Sequence, residues 1–192
     1  MNSSSSTYTT QNDLLMKNLM VFYKTENNGD NNNNLDKMLR IITGESKISL
    51  RIVDWFATNY AKKYYTVYQV QDTDRRFKVY NDYKLKLKAY SKKRFDPFCR
   101  WDRITVPYKN GAHIQTTIGQ LNFFKWAIEN SVIDYIEQNY ATIEKDMNCR
   151  NSTSKNRSSD KNNKTRKKRE ELSISASKSI KKEKVEIVVK FD

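Results

Sequence analysis

At 192 residues, with 37 % hydrophobic and 12 % aromatic content, the chain has material for one compact core plus appendages, its 12 Tyr, 8 Phe and 3 Trp supplying much of the bulk. A formal net charge of +14 favours partners that carry phosphate or acidic surfaces. Two cysteines, Cys99 and Cys149, exclude a disulfide framework, and no apolar run reaches the ~18 residues of a membrane span, so the expectation is a soluble intracellular protein with no membrane partner.

The opening MNSSSSTYTTQND has no apolar region and reads as mobile rather than as a secretory signal. Within a polar, partly flexible segment over 1–46, Leu14, Leu15, Leu19, Phe22 and Tyr23 line one small helix that packs on the core. The Asn-rich run at 27–34 is a loop, and Leu35 to Ile42 adds a turn or two of helix ended by Gly44. The run also suggests an AT-rich genome, an inference about coding rather than chemistry. The globular core is placed at 47–148. Ile52, Val53, Phe56 and Tyr60 share one face of a helix predicted over 49–62. Trp55 falls on its polar side, where either a second element covers it or it is an exposed binding aromatic. The β-branched and aromatic YYTVYQV at 64–70 reads as a strand.

Residues 75–100 admit two periods. As a helix they bury Phe77, Tyr80, Tyr83, Leu87 and Tyr90; as a strand, Tyr83, Leu85, Leu87 and Ala89 alternate with lysines. The helix is preferred, and either period is expected to gather the lysines on one solvent face. Pro97 stops the element in a turn anchored by Phe95 and Phe98. Residues 103–108 form a short edge strand because of Pro107, and 109–111 turn the chain. A long central helix then spans about 117–147, capped by Thr116 or Thr117 and bent near Glu129-Asn130-Ser131. Residues 149–169 lack any aliphatic side chain and are expected to be a disordered basic linker. Two alternating runs at 171–180 and 185–191, joined by KKEK, predict a β-hairpin over 170–192. The expected class is α+β: a mainly helical core with a few short strands and this C-terminal hairpin.

The charge is clustered. Residues 75–103 hold eleven Lys and Arg against Asp82, Asp96 and Asp102, a net +8. Residues 149–192 hold fourteen against six acids, again +8, so the remainder carries −2. Cations at that density neutralise phosphates and release counterions without reading sequence. The candidate contacts are Arg75, Arg76, Lys84, Lys86, Lys88, Lys92, Lys93, Arg94, Arg100 and Arg103, with Lys164, Arg166, Lys167, Lys168 and Arg169 as a flexible arm. The run Lys164 to Arg169 also matches a nuclear-localisation signal. Tyr80, Tyr83, Tyr90 and Trp101 lie among these cations and could stack on bases, although packing the core is the more common use of such a stripe.

Catalytic signals are lacking. A lone His113, read as a loop histidine, cannot assemble a metal site with two scattered cysteines, and a Cys99–His113 nucleophile pair has no local support. Phosphate-binding glycine loops and hydrolase motifs do not occur. The expectation is no enzyme activity, no catalytic residue, no metal and no cofactor.

Three stretches, SLRIVDWFATNYAKK (49–63), YKLKLKAYSKKRFDPFCR (83–100) and TIGQLNFFKWAIENSVIDYIE (117–137), resemble a group of small uncharacterised proteins of nucleocytoplasmic large DNA viruses, mimivirus-like giants in particular. That resemblance implies a setting rather than a site: host cytoplasm, virus factory or virion. Two functions follow as expectations. The first is a non-enzymatic, sequence-tolerant nucleic-acid-binding protein (DNA or RNA). The second is an assembly protein that contacts a partner, or itself, through 170–192.

Overall fold

A computed structural model describes residues 10–24, 34–70, 75–99, 103–156 and 182–184. In chain order the elements are α1 (Gln11–Lys24), α2 (Asn34–Thr43), α3 (Leu50–Trp55), a π-helical turn (Phe56–Tyr60), α4 (Ala61–Lys63), β1 (Val67–Gln69), β2 (Arg76–Lys78) and α5 (Val79–Phe95). There follow β3 (Arg103–Pro107), a 3-10 turn (Lys109–Gly111), β4 (Ala112–Thr117), α6 (Ile118–Glu129), α7 (Val132–Gln138), α8 (Tyr140–Asn156) and β5 (Lys182–Lys184). Helices dominate and the strands are short and antiparallel, so the α+β class holds.

The core is built on α6. Thr117 is extended, and its hydroxyl accepts the amide of Gln120 at 3.2 Å, satisfying one orphan donor of the first turn. Leu121, Phe123, Phe124, Trp126 and Ala127 are buried around the helix, so protein surrounds it. On one side α1 docks, its Tyr23 hydroxyl donating to the Leu121 carbonyl at 2.6 Å. On another, Tyr83 and Phe95 of α5 pack their rings on Phe123 and Trp126.

The expected single helix over 117–147 is instead α6, α7 and α8 in series. The first break falls at the anticipated Glu129–Ser131, where Ser131 takes the left-handed conformation (φ 52°). The second, at Asn139, was not anticipated. One cause serves both: the side-chain amides of Asn130 and Asn139 donate to the carbonyls four residues back, Trp126 and Tyr135, and compete with helix propagation. Past the expected end of the core, α8 continues to Asn156; residues 157–169 of the expected linker lie outside the described residues.

Residues 79–95 are helical, as preferred, with Tyr83 buried and Tyr80, Leu87 and Tyr90 half-buried. Phe77 departs from that stripe: it is buried in β2, opposite Tyr68 of β1. The strand expected over 64–70 shortens to Val67–Gln69 because Tyr64 and Tyr65 turn the chain first. As an edge strand β3 is confirmed; its partner β4, with Val106 opposite Ile114, occupies residues between the turn and the central helix for which the sequence predicts no strand. Lys182–Lys184, within the expected hairpin's polar link, pairs with β4 as β5. The hairpin's arms lie outside the described residues.

Gly119 fixes how closely α6 approaches the end of α5. A Cβ there would stand 2.8 Å from the Asp96 carbonyl oxygen and 3.3 Å from that of Lys93, both backbone atoms. Asn122 completes the latch, donating to the Arg94 carbonyl at 2.9 Å. Gly119→Val therefore overpacks this junction and is expected to destabilise by about 2–3 kcal/mol, lowering Tm by several degrees in a thermal melt. An unchanged Tm would mean the two helices can separate at no cost.

Candidate nucleic-acid interface

Six of the fifteen expected contact residues, Arg100, Lys164, Arg166, Lys167, Lys168 and Arg169, lie outside the described residues. The other nine do not form one face. In a helix 100° per residue places Lys86 roughly 200° from Lys84 but Lys88 only about 40° away. Lys84 and Lys88 are accordingly exposed together, whereas Lys86 is half-buried on the opposite flank beside α1, in a groove with Leu15, Phe22 and Tyr90. The expectation that a helical period keeps all three lysines on one face is therefore corrected.

Two of the expected arginines are tied to the fold. Arg75 donates to the Asn130 side chain at 2.7 Å and lies over the Phe77 ring, joining the β1–β2 hairpin to the end of α6. Arg94 donates to Asn12 at 2.8 Å and to Gln11 at 3.3 Å, holding the start of α1. Arg76, Lys92, Lys93 and Arg103 are exposed. Ser91, at φ 63° and ψ 166°, kinks α5 just before Lys92 and Lys93, so their direction is set by the kink and by the Gly119–Asn122 latch rather than by the helix upstream.

What the fold adds is a partner for Lys84. Two ammonium groups, Lys62 of α4 and Lys84 of α5, each lie 5.7 Å from the centroid of the Tyr80 ring. Cation–π attraction holds both side chains over one ring while their heads stay in water. Among the described residues no carboxylate forms an ion pair with Lys62, Lys84, Lys88 or Lys92. The same edge carries Lys63, Tyr64 and Tyr65, and it stands next to the start of α5 because the Val79 amide donates to the Thr66 carbonyl.

A clasp on α8 holds this edge in place. Asp146, 7 % exposed at its side chain, accepts from Lys63 Nζ at 2.6 Å, Tyr64 Oη at 3.1 Å and Trp55 Nε1 at 3.2 Å. Burial pushes its carboxyl up, but the three donors outweigh that, and it titrates below the usual carboxylate range. Reciprocally, the hydrogen bond to Asp146 raises the Lys63 ammonium above its ordinary value. Trp55, polar-side in the sequence, is covered by α8, with the Arg150 guanidinium 5.8 Å from its ring. A similar buried acid, Asp36, accepts from Tyr108 and Lys109 and ties α2 to the β3–β4 turn, pushing the Tyr108 phenol up to about 12.

Of the stacking aromatics expected from sequence, Tyr83 is core and Tyr80 and Tyr90 are half-buried against it; Trp101 lies outside the described residues. The exposed ones, Tyr64 at 50 % and Tyr65 at 87 %, were read as strand residues. The signal was available: in Lys62-Lys63-Tyr64-Tyr65 two tyrosines follow two cations at the end of the helix predicted over 49–62. His113 sits in β4 rather than a loop, and its Nδ1 is buried without a hydrogen-bond partner among the described residues. Among those residues no cluster of three His, Cys, Asp or Glu could hold a metal, and no helix is long and apolar enough to cross a membrane.

Comparison with known proteins places the chain among giant-virus sequences. A family described only as of unknown function, DUF7197, matches residues 2–192. An uncharacterized protein of Acanthamoeba polyphaga mimivirus is 46 % identical over 132 residues, which is 65 % of this chain and 50 % of that protein. The chain thus spans about half the length of the curated relative it matches, and the resemblance read from the three core stretches is shown. No solved structure matches.

The Asp146 clasp has a pH signature. A depressed carboxyl contributes stability that is complete above its unfolded value of about 4 and is lost as pH falls through the folded one. The raised Lys63 contributes below about 10.4 and loses that contribution as pH rises past its folded value. Asp146→Asn is expected to cost about 1–3 kcal/mol at neutral pH and to flatten part of the acid limb in melts across pH. A variant that melts like the parent at every pH would show that the clasp adds nothing.

Proposed function

We propose, for a chain that belongs to the DUF7197 family of unknown function, a non-enzymatic role: it binds nucleic acid through the phosphate backbone, without sequence readout. The observation that carries this reading is the set of cations Lys62, Lys84 and Lys88, on one exposed edge of α4 and α5, with which no carboxylate among the described residues forms an ion pair. Here a protein of net charge +14 leaves neighbouring ammonium groups unneutralised, and a polyanion is the partner that relieves their repulsion. Lys164 to Arg169 would add a basic arm to the same ligand. The giant-virus kinship supports a setting in the host cytoplasm, the virus factory or the virion, with the nucleus open to the basic run.

A second reading, an assembly protein of the virion or factory, has one observation in its favour. Lys182–Lys184 adds a strand to the β3–β4 pair, so the 170–192 segment is capable of sheet extension. Deleting 170–192 would then abolish self-association or partner capture in sedimentation while leaving oligonucleotide affinity nearly intact.

Fluorescence anisotropy across a salt series tests the first reading. Log affinity is expected to fall against log salt by about 0.7 per contacted phosphate on single strands and 0.9 on duplex. Combining Lys62→Glu, Lys84→Glu and Lys88→Glu in the full chain should make that slope shallower by about 2 and weaken binding at least tenfold. An unchanged slope and affinity in the triple variant would remove the proposed face.

A further inference from the structure

Resting on the nucleic-acid reading above, we infer that this edge takes single-stranded rather than duplex nucleic acid, with unpaired bases stacked on Tyr65 and Tyr64. Tyr65 is 87 % exposed, an extreme value for a residue type that normally buries most of its ring. Among the described residues it makes no hydrogen bond, ring contact or ion pair, so the fold does not use the side chain. The backbone does not ask for it either. Tyr65 is left-handed at φ 49°, a conformation that glycine or asparagine adopts with less strain than an aromatic residue. A tyrosine that neither packs nor suits its backbone is placed for something outside the chain.

Tyr64 complements it as a fixed platform. Its hydroxyl is anchored on Asp146, its ring lies 4.5 Å from that of Tyr60, and the Lys63 ammonium stands 4.6 Å from its centroid. The ring is held by these contacts, and half of the residue remains in water. Lys62 and Lys63 precede the pair in the chain, and Lys84 is set beside Lys62 across Tyr80. Two consecutive exposed tyrosines beside lysines match a strand whose bases are unstacked and whose phosphates run alongside. Duplex DNA hides its base faces within the stack and shows only edges in its grooves, so these rings would have nothing to act on there. Stacking is indifferent to base identity, in keeping with binding that is tolerant of sequence.

The test uses the full chain with labelled oligo(dT), a duplex of equal length and unlabelled polyglutamate as competitor. Tyr65→Ala is expected to weaken oligo(dT) binding about tenfold while changing duplex affinity less than about twofold, with the salt slope unaltered. Tyr65→Asn removes the ring but suits the left-handed backbone, so it should lose the same affinity while its melting temperature holds or rises. Tyr65→Trp should retain binding, with indole fluorescence quenched on adding oligo(dT). Steep salt-dependent binding that Tyr65→Ala leaves unchanged, or weakens equally for duplex, overturns the stacking inference and leaves phosphate binding standing. Displacement of oligo(dT) by polyglutamate at equal charge points to an acidic protein partner and overturns it too. No binding by the parent chain overturns both.

Discussion

The burial of α6 on all sides is the constraint on which the rest depends. A helix bearing Leu121, Phe123, Phe124 and Trp126 is stable only when enclosed, and its enclosure recruits α1, α2, α5 and, through the break at Ser131, α7. Trp126 shows how strictly the enclosure is set. It is 3 % exposed, packs against Phe77, Tyr83 and Phe95, and its indole N–H donates to Asp82 at 2.7 Å. That bond satisfies a polar atom that would otherwise be buried unpaired. It also fixes the rotation of α5, so that Tyr83 and Tyr90 face inward and Lys84 and Lys88 face outward. The proposed functional edge is thus the outer side of a helix whose inner side completes the core.

A second consequence lies at the far end of α3. The π-helical turn at Phe56–Tyr60 inserts an extra residue into the helical path, with the Ala61 amide reaching back to the Phe56 carbonyl. The residues that follow are rotated by about 100° relative to a continuous α-helix. Phe56 and Tyr60 remain in the core while Lys62 comes over Tyr80 and Lys63 reaches Asp146. The chain then turns through Tyr65 into β1. π-turns of this kind are frequent at functional sites, and here only Ala61 separates the turn from the lysine–tyrosine run.

Periodicity made most helices legible. The stripes in 49–62 and 117–147, the Thr117 cap and the bend near Asn130 are local features written in side-chain order. Asn139 escaped notice because an asparagine inside an apolar stripe gives no local sign of whether its amide will take the carbonyl four residues back. β4 was missed since Ala112 to Thr117 has only one strongly apolar member, Ile114; its strand character comes from pairing on both sides. The site was legible only in part. Charge density located α5, yet the pairing of Lys62 with Lys84 crosses 22 positions of sequence and depends on α4 meeting α5 at Tyr80. Conversely, Arg75 and Arg94 were indistinguishable by charge from their neighbours, and only tertiary contacts with Asn130 and Asn12 make them structural.

The α4–α5 edge, rather than the basic C-terminal segment alone, is the proposed contact surface. Photo-crosslinking of a thiothymidine-substituted single strand to the full chain, with the modified peptides identified by mass spectrometry, tests it most directly. The account predicts adducts at Tyr64 or Tyr65 and on the peptide carrying Lys84 to Lys93. Adducts confined to residues 157–181, or distributed over the α2 and α7 surfaces, would contradict it.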